Sequence, residues 1–420
     1  MKGVGGQDVV EYTKPDTFFS SLYPVKVTIL AAVWDSSHLS IFTMQLANQL
    51  ARFSVKGLQV SVLIPENAYI DKWGTSNAEN CGVTCTIVKA KKQPGFPDPI
   101  DWLYFSPADL KTDVVIGIGS QLGMIAQYWK IQYQCKNIQI AERTLSDHIF
   151  MQVSDVCIED VIKELSINAD VPVAIGPKTT DDLSASLRSG GKQVLNLTPG
   201  IISELSNLTY DDTKDGPNFR VLLVGGDNPD NFLEEGLELA AKIMAELSNK
   251  SYSLICIGVA KGTEQQFMDF FHKCGVSKSQ LMIRNLPKTE DEWKKLFREV
   301  DLAIMPSADE EFGWGVLLAL SAGLPVVVHG ESGFGEALRD VTLSKSALVY
   351  SDDAKEWASR IKTIREAARK TRLEHAALLR SNYDEKYSWE KQCEALAAMM
   401  FTKVSGMGYI SLFEIFIFPL

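Results

Sequence analysis

The chain has 420 residues, which exceeds the usual size of a single hydrophobic core and predicts two domains. Apolar residues make up 45% and charged residues 23%, the proportions of an ordinary globular protein. The net charge of -11 argues against nucleic acid and anionic membrane as partners, because both attract clustered cationic surfaces.

Cysteine usage and the chain ends bear on the cell compartment. Seven dispersed cysteines indicate reduced thiols, and the polar N-terminus lacks the apolar core of a signal peptide. The apolar C-terminal tail reaches only about half the length that a bilayer requires, so no transmembrane span is expected. We therefore expect a cytoplasmic protein. The five histidines show no metal-ligand spacing, and no metal site is predicted.

The first part of the chain predicts alternating strands and helices. The apolar run 27–32 suits a buried parallel strand, and residues 35–37 can cap a helix that continues to Arg52. Gly57 then precedes a strand at 60–64, which completes a β-α-β unit and begins a doubly wound sheet. Further strands are expected at 83–88, 114–118, 138–140, 171–175 and 194–197, with a helix after Ser120.

A polar, turn-rich linker at 206–217 separates this series from a second one. Strands are expected there at 219–224, 252–257, 281–283, 302–304, 325–328 and 347–349, and helices at 231–247, 264–273, 291–299 and 315–322. Residues 352–401 are helical and charged throughout. Two such series predict two Rossmann-like α/β domains that face a cleft, with ligands bound at the carboxyl ends of the strands.

The densest signal is the stretch 306–325. The strand before this stretch is expected to lead into a loop that carries carboxylates and lies in the cleft. A helix is expected to begin at Gly313. Backbone N–H groups at that helix start, together with the helix dipole, can hold a diphosphate without a metal. Glu310 in the loop could contact sugar hydroxyls or support positive charge at an anomeric carbon; the alternative is a solvated loop residue.

This stretch resembles the retaining glycosyltransferases of family 4, whose pattern runs Pro-Ser, two residues, Glu-x-Phe-Gly and later Ala and Gly-x-Pro. The matching positions are Pro306, Ser307, Glu310, Phe312, Gly313, Ala319, Gly323 and Pro325. Residues 199–201 resemble the family's segment at the end of the N-terminal domain. Residues 332–336 resemble its Gly-Gly-x-x-Glu loop, and residues 387–390 are similar to the start of its last helix.

The resemblance implies a GT-B fold whose last helix crosses back to the N-terminal domain. The expected division is an N-terminal tail 1–24, a first domain 25–205, the linker 206–217, a second domain 218–386, a crossover helix 387–403 and an apolar tail 404–420. It also implies metal-independent, retaining transfer of a hexosyl group from a nucleotide sugar, which is a substrate and not a cofactor, to an unknown acceptor.

The resemblance assigns Glu310 as the catalytic residue. The expected donor-binding residues are Gly225, Gly226, Phe312, Gly313, Trp314, Gly333 and Glu336. Glu336 either binds sugar hydroxyls or occupies the first turn of a helix where the dipole favours it. His38, which follows the first strand, either lies on the acceptor side of the cleft or is structural.

Three positions depart from the family pattern. Leu318 stands where the family has a ribose-binding Glu, and Gly226 and Asn231 replace an Arg and a Lys that bind the diphosphate. Arg284, Lys288 or Arg339 could substitute for these cations. The second hypothesis is therefore a catalytically inactive or repurposed GT-B module that acts as a ligand-binding, sensor or scaffold protein.

Overall fold

The computed structural model describes residues 24–70, 85–142, 157–211, 215–224, 236–259, 261–310 and 312–406. Within them lie two sheets, each built only from parallel pairs. Each sheet, with its helices, forms one Rossmann-like domain, which confirms the predicted fold class. The limits of the linker and of the two domains stay predictions.

The N-terminal sheet has the strand order β3-β2-β1-β4-β5-β6-β7. Its strands are β1 Val25–Leu30, β2 Leu58–Pro65, β3 Thr86–Ala90, β4 Val114–Ile118, β5 Lys136–Ala141, β6 Val171–Ile175 and β7 Leu195–Leu197. Its helices are α1 His38–Ala51, α2 Gln121–Tyr133, α3 Ile158–Asn168, α4 Gly176–Leu187 and α5 Ser203–Ser206. Strands β4 and β6 are buried along their whole length because helices cover both faces of the sheet.

The C-terminal sheet repeats this arrangement in the order β10-β9-β8-β11-β12-β13. Its strands are β8 Phe219–Val224, β9 Tyr252–Ile257, β10 Leu281–Arg284, β11 Leu302–Met305, β12 Val326–His329 and β13 Leu348–Val349. Its helices are α6 Leu237–Glu246, α7 Glu264–Lys273, α8 Glu290–Glu299, α9 Trp314–Ser321 and α10 Gly333–Leu338. In both sheets the strand order reverses next to the first strand, so each has a topological switch point.

The C-terminal segment is helical but not continuous. It divides into α11 Ala354–Glu366, α12 Arg369–Lys386 and α13 Trp389–Ser405. Helix α13 packs on α1 and β1, so the expected crossover to the N-terminal domain is confirmed. The Gln392 amide fixes this return, since its Nε2 donates to the carbonyl of Thr198 and its Oε1 accepts from the Thr198 N–H, both at 2.8 Å.

Several predicted strand bounds agree with the structure, whereas the predicted cap of the first helix differs in its hydrogen bonding. Strands 114–118, 171–175, 219–224 and 252–257 have their predicted bounds. Ser37 occupies the N-cap position of α1, but its hydroxyl does not bond to the helix. It donates instead to Oδ1 of Asp35 at 2.6 Å, a local hydrogen bond of the kind that short polar side chains make outside helices. In the described ranges no helix combines the length and apolarity needed to cross a bilayer.

Candidate active site

The start of α9 lies at the switch point of the C-terminal sheet, between the carboxyl ends of β8 and β11. A Cβ on Gly315 would come within 2.5 Å of the Val224 Cβ, so only glycine permits the helix to approach the end of β8 this closely. Gly225 and Gly226 follow Val224 in the chain. These two predicted donor-binding residues, and Asn231, lie outside the described residues.

Gly313 occupies the N-cap position of α9 in the left-handed conformation, with φ 86° and ψ 58°. The helix expected to open at this glycine is therefore present, and its first amide groups face the switch point. N–H groups in the first turn of a helix have no partner within the helix, and the dipole makes them attractive to anions. This end of α9 can accept a phosphate without a metal.

Glu310 lies in the loop between β11 and α9. Its side chain keeps part of its accessible surface, but it sits in a recess crowded by protein atoms. Loss of hydration raises the pKa of the carboxyl group, while the Gly313 N–H and the Lys178 ammonium lower it in part. Its backbone carbonyl accepts from the N–H of Gly333 at 2.8 Å, which ties the loop to the start of α10.

Lys178 reaches this loop from the other domain, and the sequence interpretation missed it. It lies in the first turn of α4, and its Nζ donates to the carbonyls of Ala308 at 2.9 Å and Glu331 at 3.2 Å. The available signal was its place three residues after the predicted strand 171–175, at the carboxyl edge where ligands bind.

Trp314, the first residue of α9, contacts the N-terminal domain. Its indole Nε1 donates to Oε1 of Glu142 at 3.2 Å, and both residues are buried. The His38 ring stacks on the indole with centroids 6.0 Å apart, and Phe42 meets it edge-on at 5.7 Å. His38 thus packs against Trp314 of the other domain, and its place on the acceptor side stays a prediction. Glu142 was missed, although it follows β5 directly.

Phe312 belongs to a column of aromatic rings and is almost fully buried. Its ring centroid lies 5.1 Å from that of Trp314 and 5.8 Å from that of Phe334. On the N-terminal side, Gly176 is so near that a Cβ there would lie 3.0 Å from the Phe312 ring. The Phe312 side chain therefore packs between the domains, and its part in donor binding stays a prediction.

Gly333 and Glu336 belong to the short helix α10. Ser332 caps it, since its Oγ accepts from the Gly335 N–H at 3.0 Å. The N–H of Gly333 bonds to Glu310, so two amides of this turn already have protein partners. Glu336 is half-buried, and its carboxylate lies 3.6 Å from the guanidinium of Arg339. Glu336 lies in the first turn of α10, and its binding of sugar hydroxyls stays a prediction.

The cations that could replace the missing Arg and Lys are engaged elsewhere or exposed. Arg284 pairs with Glu299 at 2.5 Å and lies on β10, which β9 separates from β8. Arg339 faces Glu336, and Lys288 is exposed. Leu318 is buried at 4% exposure among apolar residues, so its side chain adds no polar group. Among the residues described here, no group of three or more His, Cys, Asp or Glu could hold a metal.

A family model described as family 4 glycosyltransferase in conflict systems matches residues 28–396. The chain belongs to this family. Family 4 comprises retaining glycosyltransferases of the GT-B fold, in agreement with the two facing Rossmann-like domains and the crossover helix.

Curated relatives match over a limited stretch. The D-inositol 3-phosphate glycosyltransferase of Salinispora tropica is 31% identical over 111 residues, which is 26% of this chain and 22% of the relative. The enzyme of the same name from Rhodococcus erythropolis is 23% identical over 164 residues, covering 38% of this chain and 36% of the relative. The matches thus span about a third or less of the relatives' lengths.

Solved structures match over nearly the whole chain. The Anabaena protein HepE, in complex with UDP and glucose, is 14% identical with a TM-score of 0.64, covering 91% of this chain and 100% of that one. Sucrose-phosphate synthase from Thermosynechococcus elongatus is 15% identical with a TM-score of 0.66 and the same coverage. At these identities the likeness shows the shared GT-B fold.

Proposed function

We propose that this glycosyltransferase transfers a hexosyl group from a nucleotide sugar to an acceptor bound in the cleft, with retention at the anomeric carbon. The observation that carries the proposal is the position of Glu310, which lies beside the N-terminus of α9 at the switch point of the sheet. Membership of family 4 supports it, as does the UDP and glucose complex of the structurally similar HepE.

The two features have complementary roles in this reaction. The diphosphate of the donor binds at the amides of α9, where the helix dipole stabilises the negative charge that grows as the sugar–phosphate bond breaks. Glu310 binds the hexose and faces the positive charge that develops at its anomeric carbon. Because burial disfavours the ionised form of Glu310, this carboxylate is stabilised most when that positive charge is present.

The absence of the Arg and Lys that Gly226 and Asn231 replace should weaken donor binding. A charge-assisted hydrogen bond contributes about 1.5–3 kcal/mol, so losing two weakens binding on the order of a hundredfold or more. We therefore expect donor dissociation constants well above those of relatives that carry both cations. The buried, apolar Leu318 favours the alternative of a module that binds a ligand without transferring a sugar.

The test is calorimetric binding of a panel of nucleotide sugars that begins with UDP-glucose, followed by donor hydrolysis and transfer measured by mass spectrometry. We expect one donor to bind and turn over, and NMR to show a product with the donor's anomeric configuration. Glu310→Gln should reduce turnover by on the order of a hundredfold. The matched control is Asp309→Asn, which neutralises the exposed neighbouring carboxylate and should leave turnover within about twofold.

Three outcomes separate the hypotheses. Turnover that depends on Glu310 but not on Asp309 supports the transferase. A donor that binds but is neither hydrolysed nor transferred supports the ligand-binding module. If no nucleotide sugar binds at millimolar concentration, the donor site proposed at α9 is wrong.

A further inference from the structure

Lys178 links the N-terminal domain to the loop of the proposed catalytic carboxylate by hydrogen bonds. It begins in α4 and crosses the cleft, and both carbonyls that it meets belong to the C-terminal domain. Helix α4 packs against α10, and Gly176 touches the ring of Phe312. The backbone around Lys178 is therefore held by contacts that do not involve its ammonium group.

The two acceptors of Lys178 are significant because of the loops to which they belong. Ala308 lies two residues before Glu310, and Glu331 directly precedes Ser332, the N-cap of α10. These same loops are joined by the hydrogen bond from the Gly333 N–H to the Glu310 carbonyl. One ammonium group thus ties together both segments that fix the backbone at Glu310.

We propose that Lys178 is a positioning residue for Glu310, which it orients from the opposite domain through the carbonyls of Ala308 and Glu331. The inference rests on the proposed function, because it assigns Lys178 a part in the reaction that Glu310 carries. Its consequence is that the donor site is complete only while the two domains are in contact.

The charge of Lys178 adds an electrostatic effect to this geometric one. Within the described residues, Lys178 is the charged group that acts on the Glu310 carboxyl, and the dipole of the Gly313 N–H is the other favourable influence. Both oppose the rise in pKa that burial causes. Removal of the ammonium without a change in burial would leave less of the carboxyl group ionised at a given pH.

Hydrogen–deuterium exchange tests the positioning without any donor. Lys178→Met removes the ammonium but keeps the aliphatic stem, and it should speed exchange about tenfold in peptides covering residues 305–313 and 329–336. Lys178→Arg should restore protection. The matched control is Lys192→Met, which removes another lysine–carbonyl hydrogen bond, the one to Ala169 away from the cleft, and should leave both peptides unchanged.

The pH dependence of kcat/KM tests the charge. Loss of the ammonium should raise the pKa of Glu310, so the acid limb of the profile should move to higher pH in Lys178→Met. Lys178→Gln, which keeps a hydrogen-bond donor without a charge, should move it in the same direction. Lys178→Arg should keep the acid limb at its wild-type pH. If Lys178 had a purely structural role, the acid limb would stay at the wild-type pH in all three variants.

The outcomes distinguish this inference from the proposed function. Unchanged exchange in Lys178→Met overturns the positioning role, whether or not any donor is turned over. Faster exchange in a protein that turns over no donor supports the positioning of the loop and refutes the transferase. Turnover with an acid limb that stays in place in both Lys178→Met and Lys178→Gln refutes the electrostatic effect.

Discussion

Replacing Gly313 with alanine should displace the helix start on which the donor site depends. The residue has φ 86°, a left-handed conformation that costs an L-residue about 1–2 kcal/mol. A Cβ there would also lie 2.4 Å from Sδ and 2.8 Å from Cε of Met305. Relieving such an overlap costs about 1–3 kcal/mol in a packed core, so the total loss should be about 2–5 kcal/mol.

Gly191→Ala is the matched control for this substitution. Gly191 also has positive φ, 64°, but a Cβ there would meet nothing within 4 Å. It should lose only the conformational part, about 1–2 kcal/mol. The difference between the two variants then isolates the clash with Met305 from the strain in the backbone.

The measurement is urea unfolding followed by circular dichroism, combined with calorimetry of donor binding. We expect Gly313→Ala to be the less stable variant by about 1–3 kcal/mol and to bind donor more weakly, because the amides of α9 shift. Gly191→Ala should bind donor as the wild type does. Equal losses of unfolding free energy in the two variants would refute the argument from packing at Met305.

Three further predictions concern neighbouring residues. Glu142→Ala removes the acceptor of the Trp314 indole and should lower the free energy of unfolding by about 1.5–3 kcal/mol, while Glu142→Gln, which keeps an acceptor oxygen, should lose less; equal losses in thermal unfolding would contradict this. Leu318→Glu should bury a carboxylate and cost several kcal/mol, against under about 1.5 kcal/mol for Leu318→Met; wild-type stability of the Glu variant would show that this position opens to the cleft. Burial raises the pKa of Glu310, so its ionised form opposes folding, and the wild type should lose stability as pH rises from the ordinary carboxyl pKa to the raised one. Glu310→Gln should therefore gain stability relative to wild type across that interval, and a constant difference at all pH values would argue against the raised pKa.

Patterns of neighbouring residues were sufficient to predict many of the strands and helices of this protein. Buried parallel strands are short runs of mostly apolar residues, and β4, β6, β8 and β9 accordingly appear at their predicted bounds. The stretch 306–325 indicated both the carboxylate loop and the helix that follows it. These features depend on residues close in the chain, so the sequence alone was sufficient to locate them.

The partners of Glu310 and Trp314 were decided only by the tertiary structure. Lys178 is 130 residues from Ala308 in the chain, and Glu142 is 172 residues from Trp314. Neither residue lies in a recognisable motif, because a lysine or glutamate after a strand is equally compatible with a solvated surface. Their positions follow from how the two domains meet across the cleft. The sequence determined that there is a loop with Glu310 before α9, and the packing of α4 against α10 determined that Lys178 lies beside it.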